Sequence, residues 1–170
     1  MQMLNSQRGF TIIEIMTVLV IIGVLAAIAI PIMHGYQIRA RNTEAVSDVY
    51  HLNLFESQFY SDHHQYAPIA VNDKSADGLI SKNITLTGGG TALFEIRDLT
   101  PGVQVAVNTD ASHQTMIIGA LAAGSSSIIA LDPDAGGGYH VIPLNGTFSA
   151  ASLPGATSGS DLSSYPLYQK

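Results

Sequence analysis

Glu14 is the residue of this chain whose placement asks for a chemical explanation. It is a carboxylate near the start of an otherwise almost unbroken apolar run, Phe10 to Ile30. Read as helix at 1.5 Å per residue, the run spans about 30 Å, the thickness of one hydrocarbon core. An acid in such a span costs about 2.5–3.5 kcal/mol at the helix centre even on insertion scales, so it calls for a partner. The run holds no second ionisable side chain, which argues against a proton relay. A secretory signal peptide would carry its cleavage site after the apolar region. Here the small residue, Gly9, comes before it, preceded by Arg8, the leader's only basic residue. A cut between Gly9 and Phe10 would leave the apolar helix on the product.

Other candidates for chemistry are thinner. Asp132 and Asp134, with neighbouring carbonyls, are a candidate calcium loop. Two carboxylates fall short of the six to eight oxygens calcium takes, and Asp-Pro-Asp is also an ordinary turn. His63-His64 beside Asp62 offers metal-ligand types, but adjacent histidines on a polar loop point apart. The glycine triplets 88–90 and 136–138 lack the Gly-Lys-Ser/Thr ending of a phosphate loop. Asn83-Ile84-Thr85 and Asn145-Gly146-Thr147 fit the glycosylation sequon. No serine sits in a Gly-x-Ser-x-Gly elbow, and no catalytic constellation emerges; the expectation is a non-enzyme without a cofactor. There are no cysteines, hence no disulfide and no thiolate metal site. A formal charge of −6 with only 12% charged residues argues against direct nucleic-acid binding.

The elements that must position these residues divide the chain of 170 into a helix and a head. Gly23 and Ala27 form a small-xxx-small pair that lets helix backbones approach closely. Pro31 cannot donate to the carbonyl of Ala27, which predicts a kink there, with Gly35 loosening the next turn. Beyond it Ala45, Val49, Leu52, Phe55 and Phe59 recur at helical spacing, with Arg39, Arg41, Glu44, Asp48 and Glu56 expected on the other faces. Surface ion pairs of Arg41 with Glu44 and Asp48, within one chain or between copies, are plausible, worth tenths of a kcal/mol each. Helix is expected to about Tyr60. From Asp62 to Gly90 the chain reads as a polar loop. Short β-like runs come next at Val103–Val107, Gln114–Leu121, Ser127–Leu131 and Tyr139–Ile142, each bounded by turn residues. Their close spacing predicts an antiparallel meander packed on the helix stripe. The tail after Asn145-Gly146 reads as a surface loop.

The order Arg8-Gly9-Phe10-Thr11-Ile12-Ile13-Glu14, with Gly23 and Pro31 in register, resembles the signal and helix of type IV pilins and of the pseudopilins of type II secretion. The resemblance implies that a prepilin peptidase cuts after Gly9 and methylates the amine of Phe10. It implies an α+β fold: a long N-terminal helix, residues 10–61 with 10–30 as membrane span and filament core, packed on a small antiparallel sheet. The leader would be residues 1–9. The head would be residues 62–170, with a loop at 62–90, a sheet at about 103–142 and a C-terminal loop region. Gly23 to Pro31 is the segment that unwinds in many packed pilin helices. After cleavage, the amine of Phe10 on one subunit can sit against Glu14 of its neighbour and set the axial register; stranding either charge would cost several kcal/mol. Gly9, Phe10, Glu14, Gly23 and Pro31 are thus the implied processing and assembly residues.

The stretch from Gly35 through Arg39-Ala40-Arg41-Asn42 and Glu56-Ser57 to Gln65-Tyr66-Ala67-Pro68 is similar to pilins of metal-reducing bacteria. The implied function is a homopolymeric surface filament for motility, adhesion or DNA uptake. Its implied partners are the peptidase, an inner-membrane assembly platform and minor pilins. The precursor would cross the inner membrane once and end in an extracellular filament. Two alternatives share the N-terminus: a major pseudopilin in a periplasmic pseudopilus, with calcium in its acidic loop, and an electron-conducting pilus subunit using Phe10, Tyr36, Tyr50, Phe55, Phe59, Tyr60 and Tyr66.

Overall fold

A computed structural model describes residues 9–136 and 138–169. Arg8 and the rest of the leader before it lie outside the described residues. The chain divides into two compact units, Met1–Gln37 and Ile38–Lys170, and one helix, α1 (Ile12–His63), contributes to both.

In the first unit, α1 begins after Thr11 and is assigned as helix straight through Gly23 and Pro31. Nearly every side chain from Phe10 to Gln37 is exposed, including Ile12, Val20, Leu25 and Ile30. This helix is long and apolar enough to cross a membrane. Helical propensity alone does not explain so much exposed apolar surface; a helix apolar all round is one meant for burial.

The second unit is an α+β head. Among the described residues six strands come after α1: β1 (Ile80–Thr85), β2 (Thr91–Ile96), β3 (Gln104–Thr109), β4 (Met116–Leu121), β5 (Ser127–Leu131) and β6 (His140–Pro143). β1 and β2 form an antiparallel hairpin, with Ile80 opposite Ile96. The other four form an antiparallel sheet in sequence order, the meander read from the spacing of the turns. β4 is buried along nearly its whole length. Alternation sorts its neighbours onto two faces. Val105, Val107, Ile118, Ala120, Ile129 and Leu131 join the helix residues Ala45, Val49, Leu52 and Phe59 in one core. Ala106, Ile117, Ile128, Ala130 and Ile142 form a second core on the opposite face, closed by Phe148, Leu153, Ala156 and Leu162.

That second core corrects the reading of the tail. Residues after Asn145 are not only surface loop: they cover a sheet face. The tail is fixed by backbone bonds, Tyr168 N–H to Tyr139 O at 2.7 Å and Val141 N–H to Pro166 O at 2.9 Å, and by Asn108 Nδ2–H to Pro154 O at 2.8 Å. It lies so close that a Cβ on Gly119 would stand 2.4 Å from Leu153 Cδ2.

Four further differences concern the helix and the segment after it. Helix extends to His63, and His64 closes it in the left-handed region at φ 56°, its N–H reaching Tyr60 O at 2.7 Å. The segment 62–90, read as loop, contains β1. Of that strand only Ile80 and Ile84 are buried, so its apolar signal is sparse. Asp48 and Glu56 face the core, at 1% and 0% exposure, while Phe55 is 45% exposed. Among the described residues Arg41 makes no ion pair within the chain with Glu44 or Asp48: its Nη1 donates to Ala123 O at 3.1 Å. Asp48 instead accepts the N–H and Oγ1–H of Thr100.

Candidate assembly and processing site

The residues from Gly9 to Glu14 start α1 by a rule that the sequence spells out. Thr11 precedes the first helical residue, and Glu14 stands three residues later, the Thr-x-x-Glu pattern of a capping box. Glu14 N–H donates to Thr11 Oγ1 at 3.3 Å. In return Glu14 Oε2 accepts Thr11 N–H at 2.7 Å and Thr11 Oγ1–H at 2.8 Å. Two backbone N–H groups that a helix start leaves without partners are thereby satisfied, and the carboxylate sits where the helix dipole favours it. Both bonds to the carboxylate use Oε2; among the described residues Oε1 accepts none. Phe10, 85% exposed, lies beside Glu14 along a shallow apolar groove with Ile13, Thr17 and Val18.

Gly23 and Pro31 lie further along the exposed helix. A Cβ at Gly23 would meet nothing within 4 Å, so within one chain nothing requires glycine there. Any demand for a small residue comes from outside the chain. The structure thus brings Phe10 and Glu14 together at the helix start and leaves Gly23 and Pro31 at separate points of the same exposed surface.

The remaining candidates resolve into structural roles. Asp132 is buried, and its two oxygens accept Asp134 N–H at 3.2 Å and Asp161 N–H at 2.9 Å. It fastens the tail to the end of β5. Burial, then the charges of Asp132, Asp161 and Asp110, raise the Asp134 carboxyl above its ordinary range. Among the described residues no group of three or more His, Asp or Glu side chains is placed to hold a metal ion. His63 packs on Phe59 at 4.6 Å between ring centroids, whereas His64 meets Tyr60 edge-on at 6.5 Å. Gly88–Gly90 make the β1–β2 turn, with Gly89 and Gly90 both at φ 91°.

Sequence reasoning missed the polar residues that hold the head. Gln65 is fully buried; its Nε2–H donates to Thr85 O at 3.0 Å and its Oε1 accepts Thr87 N–H at 2.7 Å. Glu56 Oε2 accepts Ala67 N–H at 2.8 Å. The available signal was their helical phase: Asp48 and Glu56 fall on the same stripe as Ala45, Val49, Leu52 and Phe59.

Comparison with known proteins places this site in a family. The family described as "Prokaryotic N-terminal methylation motif" matches residues 4–30. A Fimbrial protein of Pseudomonas aeruginosa is 33% identical over 120 residues, covering 69% of this chain and 78% of the relative. Type II secretion system core protein G of Escherichia coli (strain K12) is 42% identical over 66 residues, 39% of this chain and 46% of the relative. Type IV major pilin protein PilA of Myxococcus xanthus (strain DK1622) is 43% identical over 63 residues, 37% of this chain and 29% of the relative. The chain therefore spans less than half the length of those last two relatives. No solved structure matches significantly. The exposed apolar helix, its capped glutamate and a likeness that covers most of the fimbrial relative agree: the chain belongs to the superfamily of type IV pilins and type II secretion pseudopilins.

Proposed function

We propose that this chain is the precursor of a type IV pilus subunit, cut after Gly9 and methylated on the new amine of Phe10. It polymerises through its N-terminal helix into a surface filament. The observation that carries the choice of pilus is the extent of the likeness. The match to core protein G covers 66 residues, whereas that to the fimbrial protein runs over 120 and so takes in part of the head. The head is where pilus and pseudopilus subunits have room to differ.

The mechanism derives from the helix. Before assembly the exposed apolar surface from Phe10 to Ile30 is covered by inner-membrane lipid, with residues 1–9 as leader. Once the leader is removed, Phe10 carries a positive amine one turn from Glu14. Stacked subunits exchange lipid for each other's helices, with Gly23 and Ala27 permitting close approach. The amine of an incoming chain pairs with the Glu14 oxygen that the cap leaves open. Gly9 and Phe10 are then the processing residues, and Glu14, Gly23 and Pro31 the assembly residues. The partners are other copies of this chain, a prepilin peptidase, an assembly platform and minor pilins. Losing Arg8 with the leader moves the formal charge from −6 to −7, unfavourable for direct DNA binding.

The second reading is the major pseudopilin of a type II secretion system, favoured by the 42% identity with core protein G over 66 residues. Shearing cells and identifying surface fibres by mass spectrometry separates the two. Fibres of this chain beginning at methylated Phe10 support the pilus. Their absence, with a protein-secretion defect on deletion, establishes the pseudopilin instead.

A further inference from the structure

Glu56 and Asn53 stand three residues apart on α1, so their side chains are neighbours on one side of the helix. Glu56 is completely buried. One of its oxygens accepts the Ala67 amide; the other, Oε1, is buried with no hydrogen-bond partner, and so is Asn53 Oδ1. Thr115 Oγ1 is buried and also unpartnered, so its hydroxyl does not serve the carboxylate. Neither ion pair among the described residues involves Glu56. Tyr66, on the segment that carries Ala67, senses Glu56: behind its own burial, Asp134 after β5, Tyr60 on α1 and Glu56 all raise its pKa. None of them is a cation.

A buried carboxylate with no counter-charge is expensive as an anion. Two adjacent acceptors that both lack a donor are repaired together by one proton. We propose that Glu56 is a neutral carboxylic acid in the folded head, its Oε1–H donated to Asn53 Oδ1 within α1 while its Oε2 accepts the Ala67 amide, so that the buried clasp between α1 and the Ala67 segment carries no charge.

Burial pushes the Glu56 carboxyl up to about 8, against a smaller opposite pull from the Ala67 amide. The folded head then holds this proton more tightly than the unfolded chain does. The resulting stability is complete below the ordinary carboxylate range and is lost as pH rises towards about 8. The folding equilibrium constant falls by up to about tenfold per pH unit across that window.

The test uses the full chain in detergent micelles. Infrared difference spectra at neutral pH, wild type minus Glu56→Gln, should show a protonated carboxyl band that the variant lacks. Asn53→Leu, which leaves the carboxyl in place, should shift that band to the frequency of an unbonded acid. In urea unfolding followed by tyrosine fluorescence, wild type should lose stability between about pH 5 and pH 8 relative to Glu56→Gln, by up to about tenfold per unit. A difference spectrum with no acid band, or parallel pH profiles for wild type and Glu56→Gln, overturns the proposal.

Discussion

Thr11 and Glu14 hold each other across the first turn of α1, each accepting a backbone N–H from the other. One carboxylate can therefore do two separable jobs: Oε2 closes the helix start within the chain, and Oε1 is left for the amine of the proposed assembly. Capping needs an acceptor at this position, and glutamine supplies one. Pairing with an amine needs the charge.

Variants at this turn should divide accordingly. Glu14→Gln keeps the cap and should still lose ordered fibres, because an uncompensated amine in an apolar core costs about 3–5 kcal/mol per subunit. Thr11→Ala weakens the cap by about 1 kcal/mol and should leave fibre formation largely intact. Processing at Gly9 should be normal in both, as read by the mass of the mature chain. Normal fibre yield from Glu14→Gln would show that the charge sets no register.

The buried carboxylate of Asp48 carries the N–H and hydroxyl of Thr100. Asp48→Ala removes the acceptor for both and should destabilise the head by about 3 kcal/mol, measured by urea unfolding. Glu44→Ala, one turn earlier and exposed, should change stability by no more than about 0.5 kcal/mol. Similar losses from the two would show that the Asp48 bonds contribute little.

Gly78 has φ 90°, and a Cβ there would stand 1.9 Å from the backbone oxygen of Leu99. The obstacle is backbone, not a side chain that can rotate away. Gly78→Ala should therefore cost at least about 2 kcal/mol. At Gly119 the obstacle is the end of the Leu153 side chain, and alanine should be tolerated better. Thermal unfolding of the two variants side by side gives the ranking, and the reverse order would refute it.

Leu162 is fully buried against the sheet face opposite the helix, whereas Leu167 is 57% exposed. Leu162→Ala should cost about 2–5 kcal/mol and increase binding of an apolar dye to the head. Leu167→Ala should do neither. Equal, small effects would mean that the tail is dispensable to the head.

Much of this architecture was legible because its signals are local. β3 to β6 begin and end within about two residues of the apolar runs bounded by Pro101-Gly102, Asn108–Asp110, Ala123-Gly124 and Asp132–Asp134. The helix start is spelled by Thr11 and Glu14 themselves. The features that escaped depend on distant partners. Asp48 reads as a surface charge until Thr100, on the far side of the first hairpin, supplies its donors. Glu56 and Gln65 are buried for the same reason, each matched to a backbone group elsewhere in the head. β1 alternates only two buried isoleucines with polar residues, too sparse a pattern against its polar surroundings. The tail is small and polar in composition, and its four apolar anchors, Phe148, Leu153, Ala156 and Leu162, obey no period.

Those anchors come after every strand they cover. The apolar helix is therefore made before the sheet, and the residues that seal the far face of the sheet are made after it. A chain cut short before Phe148 would expose a ready-formed apolar sheet face. Completion of the head is thus a checkpoint written into the order of synthesis: only a chain that reaches Leu162 hides the surface by which a fragment would stick.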